Sequence, residues 1–324
     1  MDQDLEAGRH ARRPSELGGS GWKAALSRVG AELKRDHVSL LAAGVAFKGL
    51  LALFPAIIAA ISIWGLVASP EQMTQQLSRP LEALPDEAAT LIEQQMSGVA
   101  GQSPGALSFA LAVSVLVALW SASSGTAGLV EGCNAAYSEV DDRGFLRKRG
   151  LALLFTFGAI VFLAVTVGLI AVLPAVLSEL GLGATAERVI RIGMWPLLAV
   201  VVMGALATVY KYGPDRDRPR TRWVTWGAVS ATVLWLAGSS LFTLYVENFG
   251  TFGETYGTFA GIIVLMLWLY LSAFVVLLGA EINAEAERQT RVDTTIGEPA
   301  PLRARGAVVA DTTPRDYAQD RERT

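Results

Sequence analysis

The chain is short of the side chains that build disulfide and metal chemistry. Its 324 residues include one cysteine, Cys133, and two histidines, His10 and His37. A single cysteine excludes an intramolecular disulfide and a cysteine-based zinc site. Neither histidine belongs to the cluster of His, Asp and Glu that a hydrolytic metal site needs. Charge is also scarce: Asp, Glu, Lys and Arg make up 18% of the chain, against about 25% in a soluble globular protein. Acids and bases nearly cancel, to a net charge of −3, so no global basic excess marks a nucleic-acid binder. There is no Walker A motif and no nucleophile elbow. The residues offer no catalytic constellation, and no cofactor or metal is expected.

What is present is apolar sequence. Hydrophobic residues make up 52% of the chain and the mean hydropathy is +0.40. A membrane-spanning helix needs about 20 mostly apolar residues. Six stretches meet that length or nearly so: 38–68, 106–130, 150–177, 192–210, 223–246 and 258–280. The expected fold is therefore all-α, a polytopic membrane protein with six transmembrane helices. The polar start lacks the apolar core of a signal peptide. The first apolar run begins near Val38, is too long for one, and reads as a retained membrane helix.

The distribution of Lys and Arg orients these spans. Seven lie before the first span, four in loop 131–149, five in loop 211–222 and seven after the sixth span. The opposite side holds only Arg79, Arg188 and Arg191, and Lys48 lies inside the first span. The asymmetry places both termini in the cytoplasm, and an odd number of spans would break the alternation. The expected location is the plasma membrane of the cell.

Outside the spans, residues 1–21 read as a disordered cytoplasmic N-terminus. Residues 22–36 form an amphipathic helix, with Trp22, Leu26, Val29 and Leu33 on one face and Lys23, Arg28, Lys34 and Arg35 on others. Such a helix suits an anionic inner leaflet or the protein's own cytoplasmic face. The transmembrane domain covers 38–283, with one long outer loop, 69–105, whose segments 70–77 and 85–96 start with proline and read as short helices. The tail 284–324, rich in Arg, Asp, Thr and Pro, reads as disordered.

Several residues are candidates for a cavity or substrate path. Lys48 is ionisable inside a span, or else snorkels at the inner interface. Pro55 removes one backbone hydrogen bond from the same helix. On the second span, Ser121, Gly125, Gly128 and Gly132 recur at helical spacing. That stripe suits a tight helix crossing or, with Ser124, Thr126, Glu131 and Asn134, a polar cavity wall. Glu281 closes the sixth helix. Glu247, Glu254 and Tyr256 surround the last outer loop and could form an acidic mouth, or a solvated turn.

Three blocks carry a resemblance. They are Leu41-Ala-Ala-Gly-Val-Ala-Phe-Lys-Gly-Leu-Leu-Ala-Leu-Phe-Pro55, then Leu119-Trp-Ser-Ala-Ser-Ser-Gly125 with Asn134-Ala-Ala-Tyr137, and then Tyr256-Gly257, Leu267-Trp-Leu-Tyr270 and Leu277-Leu-Gly-Ala-Glu-Ile-Asn283. In order and spacing the chain resembles the YihY/BrkB family of bacterial inner-membrane proteins over roughly residues 22–285. Lys48 departs from the pattern, which has an aromatic residue there, so no role at that position is inherited. The resemblance implies six spans. It carries two labels, a tRNA-processing ribonuclease and a virulence factor, and the residues argue against the nuclease.

The resulting expectation is transport of a lipid, an envelope precursor or a small solute, with a non-transporting scaffold for envelope assembly as the alternative. Expected partners are the bilayer, anionic headgroups bound through the basic segments, and the transported lipid or solute. Nucleic acid is not among them, and homo-oligomerisation stays open.

Overall fold

The computed structural model describes residues 8–67, 104–167, 184–249, 259–316 and 319. Among them the regular structure is helical, and the only extended pairing is an antiparallel bridge between Pro219 and Thr295. The helices are α1 (Gly18–Arg35), α2 (Val38–Val67), α3 (Pro104–Ala136), α4 (Phe145–Val167), α5 (Ala184–Tyr212), α6 (Thr221–Phe249), α7 (Ala260–Arg288) and α8 (Val308–Asp311). The described residues of each of the six expected spans fall on one of α2–α7, whereas 68, 168–177 and 258 lie outside the described residues. By length and composition, three stretches among the described residues could cross a membrane: Gly193–Tyr212, Thr221–Asn248 and Ala260–Arg288. The segments 70–77 and 85–96 lie outside the described residues.

A sharp break separates α1 from α2. The Asp36 N–H closes α1 on the Glu32 carbonyl at 2.8 Å. His37 then takes φ +50, in the left-handed region that non-glycine residues seldom enter. Val38 starts the next helix. This break lets α1 fold back onto the end of the bundle. Its inward face is Gly21, Ala25, Val29 and Glu32. Leu26, expected on the apolar face, is half exposed, at 50%. The helix packs on α7, where Arg28 pairs with Glu285 and Gln289.

The core lies where α2, α3, α5, α6 and α7 meet. Val38, Ala42, Cys133, Ala136, Tyr137, Tyr210, Val224, Ala228, Leu277, Ala280 and Ala284 are buried there together. Helix α7 is its centre and also contacts α1 and α8. Small residues make this closeness possible. A Cβ on Gly227 would overlap the Gly279 carbonyl, and one on Gly279 would overlap the Tyr210 hydroxyl. Asn283 fastens the crossing: its Oδ1 accepts the Gly227 N–H at 2.7 Å and its Nδ2 donates to the Val224 carbonyl at 3.2 Å. Gly279 and Asn283 of the Gly-Ala-Glu-Ile-Asn block are thus contacts of α7 with α6.

The segments expected to be disordered are ordered where described. Residues 284–288 continue α7, and residues 289–316 fold back over the end of the bundle, as do residues 8–17. The Arg291 N–H donates to the Arg9 carbonyl at 2.9 Å, and Thr290 Oγ1 donates to the Ala11 carbonyl at 2.7 Å. Arg220 and Ile296 N–H groups bond the Thr294 and Arg218 carbonyls. Arg305, 4% exposed, donates to the carbonyls of Ala300, Ala310 and Arg291. Polar composition predicts disorder because such a segment buries little apolar surface. Here its polar groups satisfy one another and the loops instead, so a low-hydropathy segment is ordered. Val309 also enters the apolar core.

Gly227→Ala is expected to lower the unfolding temperature of the purified protein, because overpacking against backbone costs about 1–3 kcal/mol or more. Gly204→Ala, with nothing within 4 Å of the added methyl, serves as the control. Equal unfolding temperatures for the two variants would sink the close-crossing account.

Candidate functional site under the polar cap

The sequence-derived candidates do not converge on one cavity among the described residues. Gly125 and Gly128 line a tight crossing of α2 and α3: a Cβ on Gly125 would meet the Gly49 nitrogen at 3.5 Å, and one on Gly128 would meet Lys48 Nζ and Val45 at 3.4 Å. The small-residue stripe is therefore packing. Ser124 sits beside it, half-buried, donating to the Trp120 carbonyl at 3.2 Å and accepting from Arg149 at 3.3 Å. Arg149 stacks on the Trp120 ring at 3.6 Å. Ser121 is half-buried and Glu131 is exposed. Helix α2 continues through Pro55, whose side chain lies outside the described residues, as do Glu254 and Tyr256. Glu247 is exposed. Lys48 is exposed on α2, its stem lying over Gly128.

Asn134 is buried, but it ties loops and lines no cavity. Its Oδ1 accepts the Asp215 N–H at 2.7 Å, and its Nδ2 reaches Asp141 at 3.4 Å. Around it the cap is an electrostatic lattice. Arg216, with its side chain fully buried, forks onto Glu287 at 2.6 and 3.0 Å and lies 5.0 Å over the Tyr137 ring. Arg288 pairs with Glu285 at 3.0 Å and donates to Thr312 and Ser138. Hydrogen bonds from Arg143 hold the Asp141 carboxyl below the usual carboxylate range. Burial pushes Glu139 up to about 7, although the Val308 N–H and Arg216 favour its charged form. Glu139 borders two open clefts of about 500 and 490 Å³ between loop 138–142 and the tail.

Glu281 behaves differently from all of these. It is 1% exposed, and neither carboxyl oxygen receives a hydrogen bond from a donor. It faces the carboxyl of Asp36, at the break between α1 and α2, with Glu32 and Glu285 also close. Burial, and next the Glu32 charge, push Asp36 up to about 6. A buried carboxylate without donors is costly, and two carboxyl groups in contact bond only when one carries a proton. Asp36, Glu32 and Asn283 were not singled out from sequence. Glu32 and Asp36 stand four apart near the end of a helix, where like charges repel, and that clash was the available signal.

These helices, apolar along their length and tied at one end by a buried polar cap, define an α-helical polytopic membrane protein. The chain belongs to the virulence factor BrkB family, whose model matches residues 29–303. It is similar, at 33% identity over 261 residues, to a protein of Bacillus subtilis (strain 168) named as ribonuclease-like, YfkH, covering 77% of this chain and 90% of that one. It is 29% identical over 257 residues to a UPF0761 membrane protein of Alteromonas mediterranea, covering 76% and 82% of the two chains. A UPF0761 membrane protein of Aromatoleum aromaticum is 27% identical over 252 residues, which span 75% of this chain and 59% of that longer relative. No solved structure matches.

Glu287→Gln removes the forked partner of the buried Arg216 and leaves it only Glu139, 4.0 Å away. Breaking a buried pair costs about 3–5 kcal/mol, whereas Glu131→Gln, at an exposed position, is expected within about 0.5 kcal/mol of the parent. Denaturant unfolding measures both, and limited proteolysis beyond Arg288 is expected to accelerate only in Glu287→Gln. Parental protease resistance in that variant would contradict the lattice.

Proposed function

We propose that the chain is a six-span inner-membrane protein, with both termini and the polar cap in the cytoplasm, that moves an anionic lipid, envelope precursor or small solute. Lys48 carries this reading. Ten residues into α2 it stands about 15 Å along the helix, on a surface where the neighbouring Phe47 and Leu51 are also exposed. Among the described residues no carboxylate pairs with it. A cation on a lipid-facing surface is expensive unless it snorkels or meets an anion. Its stem lies along the α2–α3 crossing at Gly128, and its exposed ammonium suits a phosphate or carboxylate headgroup. The basic loops then serve as orientation signals, cap ligands and contacts for anionic headgroups. The reading is non-enzymatic, and the ribonuclease-like name remains that of the Bacillus relative.

A second reading, a non-transporting scaffold for envelope assembly, draws support from the ordered cap. The cap presents a fixed polar surface in place of loose tails.

Reconstitution into liposomes separates the two. Transport predicts flux of a fluorescent anionic lipid or solute above empty liposomes, reduced about tenfold or more in Lys48→Gln. No flux across a broad panel, together with a stoichiometric partner recovered by crosslinking, would replace transport with the scaffold. For the topology, a cysteine at Ser97 is expected to label from outside intact cells and one at Asp142 only after permeabilisation. The reverse pattern would overturn the orientation.

A further inference from the structure

We propose that Asp36 and Glu281 form a proton-binding carboxyl pair, sharing one proton, that fastens α1 to α7. The site is built from three elements. Asp36 ends α1, Glu281 lies on α7, and Cys133 of α3 closes the buried side against Glu281. Glu281 is 1% exposed with both oxygens lacking a donor, and the group it meets is the Asp36 carboxyl. The other charges facing the pair are Glu32 and Arg35 from α1 and Glu285 and Arg288 from α7. Arg35 lies 3.6 Å from Glu32, and Arg28 and Arg288 both pair with Glu285. The nearby cations are thus engaged with the outer carboxylates, and none donates to Glu281. His37, the adjacent titratable residue, is exposed.

A proton satisfies this arrangement with the fewest demands. A single O–H between two carboxyl groups gives a charge-assisted hydrogen bond and removes one of two facing negative charges. A metal ion is the less suitable occupant, because no group of three or more ligating side chains among the described residues is placed to hold one. Two coupled carboxyls lose their protons in two steps that belong to the pair. Burial, and next the Glu32 charge, push the Asp36 carboxyl up to about 6. One proton is left between the two groups at neutral pH.

The sign of the linkage follows. A carboxyl whose folded value is raised contributes to docking while protonated, and the contribution is lost as pH rises. Losing the last proton puts two adjacent charges beside Glu32 and Glu285, and α1 separates from α7 at its C-terminal end. This converts alkalinity into exposure of the α1 inner face. The proposal does not depend on what, if anything, the protein transports.

The test uses the full chain in lipid nanodiscs. Infrared difference spectroscopy is expected to show a protonated-carboxyl band at neutral pH that disappears on alkalinisation. That band is lost in both Asp36→Asn and Glu281→Gln. Spin labels on Gly30→Cys and Ile296→Cys, both exposed positions, report the distance from α1 to the cap. That distance lengthens with rising pH in the parent. It stays constant in Glu281→Gln, whose amide donates permanently to Asp36 and keeps the fold. Absence of the band in the parent at neutral pH overturns the proposal. So does a band that persists in both variants, or a distance that responds to pH equally in Glu281→Gln.

Discussion

Everything at the capped end of this molecule depends on how closely α6 and α7 approach. Gly227 and Gly279 remove the side chains that would hold the two helices apart, and Asn283 uses that proximity to bond α6 backbone at two points. Away from water, an amide in that position has to find its partners inside the protein. Helix α7 is thereby placed at the centre, within reach of α1, α2, α3 and α8. Glu281, Glu285, Glu287 and Arg288 then project from one rigid post. Their positions relative to Asp36, Arg28 and Arg216 are set by a contact between two glycines.

The cap solves an electrostatic problem of its own making. Buried arginines and glutamates are tolerated when each is forked, stacked or bonded to carbonyls. Arg216 and Arg305 meet that condition fully. Glu281 does not: both of its carboxyl oxygens are buried without a donor.

The apolar runs were legible because a bilayer-length hydrophobic stretch needs no knowledge of its neighbours, and the described residues of each expected span do fall on a helix. The three blocks of family resemblance were legible for the same local reason. The inward face of α1 was largely legible: Trp22, Val29 and Leu33 of its apolar stripe pack inward. Leu26 does not, and the burial of Glu32 was not legible. The tail was misread since composition reports how much apolar surface a segment can bury and says nothing of partners elsewhere. Arg305 orders it through three carbonyls that no local window contains. Among the site candidates, Glu281 was recognisable as an ionisable group at a helix end. Its partner Asp36 lies 245 positions away along the chain, beyond any motif. Gly125 and Gly128 show the opposite case: the pattern was visible, and its meaning was packing.

The bonds from Arg9 and Ala11 to Arg291 and Thr290 join the two extremities of the described chain. During synthesis the early segment emerges long before its counterpart exists, so for most of translation Arg9, Ala11 and Leu17 wait without the partners that shelter them. Closure of such distant pairs is entropically late. The cap is therefore the last part of the molecule to mature, and its closure reports that the whole polypeptide has been inserted. A quality-control protease that reads exposed polar ends could distinguish a finished molecule from a truncated one by this knot of backbone bonds alone.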